Sequence, residues 1–233
     1  MRGTAGYRLL LAAAVPLVFA HSLARSWRDG GWRYLRQRWG FGYPPKDPGL
    51  RPQWVHCASV GEVSAAAPLI ARLSASGEPL LVTTSTPTGA AQLSRRFPDL
   101  PHVYLPLDYP VVLRRFLRHL RPARLLVVET EIWPCLYSVC HQARVPIVIV
   151  NARLSARTLE APRWLRRAYA DSLARVSAIL ARSDVDAERF VTLGAPSARV
   201  ETCGNLKFSA RPPLPVESVV PDRPYLLAAS TRD

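Results

Sequence analysis

The chemistry open to this chain is concentrated where apolar runs break off into short polar turns. The first such turn is H-C-A-S-V-G-E-V, His56 to Val63, in which Ser59 and Gly61 form a small bend ahead of Glu62. Glu62 falls in the first turn of a helix, where backbone N–H groups and the helix dipole stabilise a carboxylate. Two readings stand: an acidic residue that simply starts a helix, or a general base at the rim of a sheet. The turn is not a G-x-G-x-x-G loop, which argues against a dinucleotide-dependent oxidoreductase.

A second carboxylate turn, V-E-T-E-I-W-P, runs from Val128 to Pro134. Glu129 and Glu131 repel each other and call for cationic or hydrogen-bonding partners. Pro134 after Trp133 restrains the turn. In N-A-R-L-S, Asn151 to Ser155, Arg153 is a candidate partner for the glutamates or for an anionic substrate, because guanidinium pairs bidentately with carboxylate and phosphate. Asn151 is a candidate for holding the neighbouring loop. The hydroxyls of T-T-S-T-P-T-G, Thr84 and Thr86 among them, either cap a helix or bind sugar hydroxyls or phosphate. In G-N-L-K-F, Lys207 is one of two lysines, with Lys46, in a chain otherwise basic through arginine. That raises the prospect that a compact ammonium is required there.

The four cysteines, Cys57, Cys135, Cys140 and Cys203, form no C-x-x-C pair and no His/Cys set with metal spacing. They read as reduced thiols in or near a core. Neither a metal nor a cofactor is expected.

Elements that can position these turns follow from the pattern. Strand-length apolar runs at 53–58, 79–84, 102–106, 124–128, 146–150 and 177–181 alternate with helical stretches at 62–75, 88–97, 109–120, 132–143, 161–175 and 184–193. Continuous apolar runs at 124–128 and 146–150 suit strands buried on both faces. The alternation predicts an α/β fold, a Rossmann-like doubly wound parallel sheet with its site at the carboxyl ends of the strands.

The 233 residues carry a net charge of +14, a surface that seeks anions. Residues 1–51 hold nine basic and two acidic residues beside an apolar run, 9–24, that has no formal charge. A membrane surface fits this juxtaposition better than nucleic acid, for which no zinc-finger or RRM-like signature appears. The run is short for a perpendicular span. A cleaved signal peptide and a soluble core helix compete with an uncleaved anchor or interfacial helix. The anchor reading is preferred because the basic charge follows the run, with Trp27, Trp32, Tyr34 and Trp39 expected at headgroup depth. The predicted organisation is an anchor and juxtamembrane segment at 1–39, a Pro/Gly-rich linker at 40–53, a Rossmann-like domain at 54–210, and a Pro-rich connection with a new strand at 211–233.

Seven segments, HCASVGEVSAA, VTTSTPTG, YLPLDYP, ETEIWP, NARLSAR, DAERFVTLGA and GNLKF, together resemble the Kdo (3-deoxy-D-manno-octulosonic acid) transferase family in order and approximate spacing. The resemblance spans nearly the whole chain and includes the RWG before the linker. It implies the N-terminal, acceptor-binding half of a B-type glycosyltransferase fold. It also implies an inverting transfer of Kdo from CMP-Kdo to the lipid A precursor (lipid IVA) in lipopolysaccharide biosynthesis, without a metal in the site. By that resemblance Glu62 is the proton acceptor, and Glu129 and Lys207 stabilise the transition state. Ser59, Gly61, Thr84, Thr86, Glu131, Asn151 and Arg153 line the substrate or support the catalytic groups.

The implied location is the cytoplasmic face of the inner membrane, against anionic lipid, with no nucleic-acid partner. The sequence departs from the family where Cys135 and Ser209 replace the usual Asn and Asp. PYLLAASTR resembles the first strand of the donor domain, most of which is absent, so the expectation is a fragment inactive by itself. Two alternatives remain: another B-type glycosyltransferase acting on a membrane acceptor, and a non-catalytic, membrane-bound acceptor-binding module.

Overall fold

The computed structural model describes residues 5–44 and 49–206. Among these residues, seven parallel strands form one sheet in the order β3-β2-β1-β4-β5-β6-β7. They are β1 (Gln53–His56), β2 (Leu80–Thr84), β3 (His102–Tyr104), β4 (Arg124–Val128), β5 (Ile147–Ala152), β6 (Ala178–Ala181) and β7 (Val200–Thr202). The chain runs outward from β1 to β3, returns to pair β4 with β1, and then runs outward the other way. Between β1 and β4 the order reverses, which opens a crevice at the strands' carboxyl ends.

Helices α3 (Val60–Ala75), α4 (Pro87–Arg96), α5 (Pro110–Leu120), α6 (Pro134–Gln142), α8 (Arg163–Leu173) and α9 (Asp184–Leu193) cover the sheet, and the short α7 (Ala156–Leu159) lies in the β5–α8 connection. The strand pleat sends alternate residues to opposite faces. On β1 and β4, Trp54, Leu125 and Val127 join one core with Phe116, Leu136 and Tyr137 of α5 and α6. Val55, Leu126 and Val128 join the other with Val63, Ile70 and Leu93 of α3 and α4. Sheet faces buried on both sides account for the unbroken apolar runs in the sequence.

Local chemistry sets the helix starts. Ser59, Thr86 and Ser183 cap α3, α4 and α9 by accepting a backbone N–H three residues on. Pro87, Pro110 and Pro134 begin α4, α5 and α6, where the missing N–H has no intrahelical partner to lose. β7 was not foreseen because it is a three-residue edge strand with two exposed residues rather than an apolar run.

Helix α1 (Ala5–Arg25) passes through a π-helical turn, Ser26–Gly30, into α2 (Gly31–Arg38). Residues Gly6–Arg28 are long and apolar enough to cross a membrane, with mean hydropathy 1.6 and 11% of that stretch buried. Leu9, Leu10, Leu17 and Phe19 are exposed, while Tyr7 and Leu11 pack against the core.

The expectation that four aromatic residues would reach toward headgroups is corrected for two of them. Trp27 and Trp32 are exposed, but Tyr34 is buried edge-on against Tyr104, and Trp39 stacks on Tyr109. The cause is edge strand β3, whose free backbone groups need partners. Gln37 accepts the Tyr104 N–H at 2.9 Å, and Arg38 donates to the Leu105 carbonyl at 2.6 Å. Satisfying that edge draws α2 and its rings inward. Of the cysteines, Cys57, Cys135 and Cys140 are buried and Cys203 is exposed on the chain after β7.

Candidate active site

Glu62 is the third residue of α3, and its side chain folds back over the β1–α3 turn. Its Oε2 accepts the Ala58 N–H at 2.6 Å, and its Oε1 accepts the Ser59 hydroxyl at 3.1 Å. Ser59 Oγ in turn accepts the Glu62 N–H at 3.4 Å. This is a reciprocal capping arrangement. It points the carboxylate along the carboxyl rim of the sheet and leaves Glu62 only 9% exposed. Burial pushes its pKa up to about 7; the charges of Glu131 and Glu129 add to the rise, and the Ala58 N–H and Ser59 hydroxyl moderate it. A buried carboxyl that titrates near neutrality can accept a proton at working pH.

Glu129 follows the last residue of β4, and β4 pairs with β1. Its backbone is left-handed, φ +64, and its N–H still donates to the Val150 carbonyl at 3.0 Å. A non-glycine residue in this region stores strain and clusters at functional sites. Neighbouring bonds hold the turn: Thr130 Oγ1 donates to the Arg153 carbonyl at 2.7 Å, and Tyr137 Oη donates to the Glu131 carbonyl at 2.9 Å. Burial raises the pKa of Glu131, and Glu129 adds to that, whereas the nearby Trp133 indole and the charge of Arg38 pull it back. Glu131, Ile132 and Trp133 line a pocket of about 210 Å³ that also takes in Tyr7 of α1 and Tyr169 of α8.

The other sequence candidates divide. Asn151, buried and also left-handed at φ +52, accepts the Leu206 N–H on Oδ1 at 3.1 Å. It thereby ties Leu206, within G-N-L-K-F, to the end of β5. Lys207 itself lies outside the described residues. Arg153 is exposed, and its carbonyl rather than its guanidinium meets the glutamate loop. The ion pairs among the described residues are Arg182–Asp186 and Arg189–Asp186, so Arg153 is paired with neither Glu129 nor Glu131.

Thr86 is the cap of α4, accepting the Gly89 N–H at 3.1 Å, and Thr84 Oγ1 lies 2.9 Å from His102 Nε2. Both hydroxyls are thus engaged inside the protein. Gly89 is needed for this fit, because a Cβ there would lie 3.0 Å from Thr86 Oγ1 and 3.5 Å from the Ser59 carbonyl carbon. Gly61, by contrast, is exposed beside Ser59.

Two polar groups beneath the rim were not assigned from sequence. His56 is fully buried with Nδ1 2.9 Å from Thr83 Oγ1, which also accepts the Trp54 indole N–H at 2.8 Å. Burial and the charge of Arg38 lower the His56 pKa to about 3, so the ring is neutral and adds no cation under the glutamates. Asp108 is the second. Its carboxylate accepts the Cys135 and Leu136 N–H groups at 3.0 and 2.7 Å, and the Tyr7 hydroxyl at 2.9 Å. One side chain therefore caps α6, directly after the glutamate loop, and fastens α1. Its signal lay in L-D-Y-P, but a cap that acts across 27 residues has no local spacing rule. No group of three or more His, Cys, Asp or Glu among the described residues is placed to hold a metal ion.

Comparison with known proteins fits this architecture. Residues 33–210 match the family described as 3-deoxy-D-manno-octulosonic-acid transferase (kdotransferase). A 3-deoxy-D-manno-octulosonic acid transferase of Bordetella pertussis is 35% identical over 99% of this chain and 57% of its own length. One from Haemophilus influenzae is 33% identical over 97% of this chain and 56% of its own length. The chain thus spans little more than half the length of these curated relatives. Among solved structures, an S. aureus MnaA–UDP co-structure superposes with a TM-score of 0.52 at 16% identity, covering 72% of this chain and 50% of that one, a likeness of fold alone.

Proposed function

The chain belongs to the 3-deoxy-D-manno-octulosonic-acid transferase family, and from that premise we propose that it is the acceptor-side half of an inverting glycosyltransferase. In this reading the whole protein moves Kdo from CMP-Kdo to the lipid A precursor, lipid IVA, in lipopolysaccharide biosynthesis. The Glu62 carboxylate takes the proton of an acceptor hydroxyl. The hydroxyl oxygen bonds to the anomeric carbon of Kdo as the bond from that carbon to the CMP phosphate breaks, and CMP leaves with the electron pair.

The observation that carries the reading is the buried Glu62 carboxyl, brought to a pKa of about 7 beside Glu129 and Glu131. A base matched to working pH is what a general-base step requires, and such a step supplies typically ~10²–10⁴-fold in rate. Glu129, across the crevice on the neighbouring strand, favours the positive charge that develops on the donor sugar. Lys207, by family resemblance, offsets negative charge on the donor carboxylate or the departing phosphate. A second domain, facing this one across the crevice, would hold CMP-Kdo. Glu131 and the pocket it shares with Tyr7 and Tyr169 lie between the rim and α1, where a lipid-linked sugar would enter.

The membrane reading rests on α1 and the arginines that follow it. A helix of 21 residues is about 31 Å long at 1.5 Å per residue, close to a hydrocarbon core. One of its sides packs on the domain and another presents Leu9, Leu10 and Leu17 outward. Arg25, Arg28, Arg33 and Arg36 then favour the anionic cytoplasmic face of the inner membrane. The test is direct: the whole protein, CMP-Kdo and lipid IVA in detergent micelles, with products read by mass spectrometry. A mass gain of one or more Kdo units is expected; unchanged acceptor with hydrolysis of CMP-Kdo alone would contradict the reading.

A further inference from the structure

At the amino ends of β1 and β4, opposite the glutamates, four arginines converge on one groove. Arg51 comes from the segment before β1, Arg114 and Arg118 from α5, and Arg121 from the turn into β4. The groove has a volume of about 880 Å³ and an apolar floor that includes Leu117 and Val145. No acidic side chain lines it among the described residues, and none of the four arginines enters an ion pair there. It is separated from Glu129 by the five residues of β4, about 16 Å at 3.3 Å per residue.

This cluster is costly to the fold. Arg114 and Arg118 are four apart on α5, a spacing at which like charges destabilise a helix. Arg121 ends α5 in a left-handed conformation, φ +46, a position where glycine is the default. Arg144, between the lining residues Ala143 and Val145, repeats the pattern beyond α6 at φ +56. Helix C-termini attract cations and offset part of the repulsion, but four guanidiniums without an ion-pair partner around one concavity leave a strong positive field. Guanidinium forks match phosphate oxygens in pairs.

We propose that this groove binds an anion bearing two or more phosphates, with the apolar floor taking the uncharged part of the ligand. This is a site apart from the proposed transfer reaction. Inorganic pyrophosphate is the first probe, titrated calorimetrically into the chain, and vesicles containing cardiolipin, whose headgroup carries two phosphates, are the second. The Arg114→Gln/Arg118→Gln variant is expected to bind the operative probe at least about tenfold more weakly. The Arg95→Gln/Arg96→Gln variant, which removes two charges from α4, is expected to bind as before. Loss of pyrophosphate binding assigns the phosphates to a soluble ligand; loss confined to vesicles assigns them to a lipid headgroup. Because the substitutions relieve repulsion, the melting temperature of the first variant should hold or rise. Binding of neither probe, equal weakening by both variants, or a lower melting temperature for Arg114→Gln/Arg118→Gln would overturn the proposal.

Discussion

Glu62 and Glu129 issue from adjacent strands at the point where the order of the sheet reverses. Glu62 stands in the first turn of the helix after β1, Glu129 directly after β4, and His56 and Val127, near the ends of those strands, are register partners. Each raises the cost of charge in this neighbourhood: the Glu129 charge lifts the pKa of Glu62, and both act on buried Cys57. Two carboxylates gathered at one rim, one buried by a capping arrangement and the other on a left-handed backbone, are expensive unless their chemistry is used.

The pKa of Glu62 sets a stability profile. The folded chain holds this proton up to about pH 7, whereas an unfolded glutamate releases it near 4.5. Between those values the native state binds more protons, so the contribution of Glu62 is full below about 4.5 and is lost as pH rises through about 7. In Glu62→Gln the loss is absent. The stability of the variant relative to the parent should therefore climb across this window, by up to about 3 kcal/mol. Urea titrations at a series of pH values check this; a difference independent of pH would mean that Glu62 titrates normally.

Much of this was legible in advance, and for identifiable reasons. The runs at 124–128 and 146–150 are apolar because both sheet faces are covered, so the parallel sheet followed from them. Glu62 was placed in the first turn of a helix by its small, Gly-containing lead-in, and Glu129 at a strand exit by the end of its apolar run. The long-range bonds were not legible. Nothing near Asp108 in sequence announces that it caps α6, and nothing near Tyr34 announces that α2 must serve the exposed edge of β3. How Arg153 meets the glutamate loop was not legible for a related reason: its backbone carbonyl, set by the end of β5, makes that contact, and its exposed guanidinium does not pair with either glutamate.

Tyr7 and Asp108 should be energetically coupled. Asp108→Ala leaves the Cys135 and Leu136 N–H groups uncapped and is expected to cost about 3 kcal/mol, while Tyr7→Phe should cost about 1 kcal/mol. In the double variant the cost of Tyr7→Phe should fall to nearly nothing, because its acceptor is already gone. Strict additivity in urea unfolding would mean that the 2.9 Å contact contributes no stability.

Asp186 is the other long-range organiser. Its carboxylate accepts the hydroxyl of Ser183, the cap of α9, at 2.8 Å and the Leu154 N–H at 2.9 Å and pairs with Arg182, fixing the loop after β5 that holds the glutamate turn through Thr130. Burial alone would raise its pKa, but the Leu154 N–H, Arg182 and Ser183 outweigh that and hold it below the ordinary value. Its contribution is thus present above the unfolded pKa and lost as pH falls. Asp186→Asn should cost about 2 kcal/mol at neutral pH and progressively less in acid. A penalty that grows on acidification would reverse the sign of the argument.

The most direct test of proton acceptance by Glu62 is the pH dependence of transfer in the whole protein, parent against Glu62→Gln. The amide can still accept the Ala58 N–H, so the turn is kept while the base is removed. The parent rate should rise with an apparent pKa of about 7. The variant should be slower by about 10²–10⁴-fold, without that inflection and with the acceptor KM little changed. A Glu62→Gln protein that turns over at the parental rate, with the same inflection, would contradict the account.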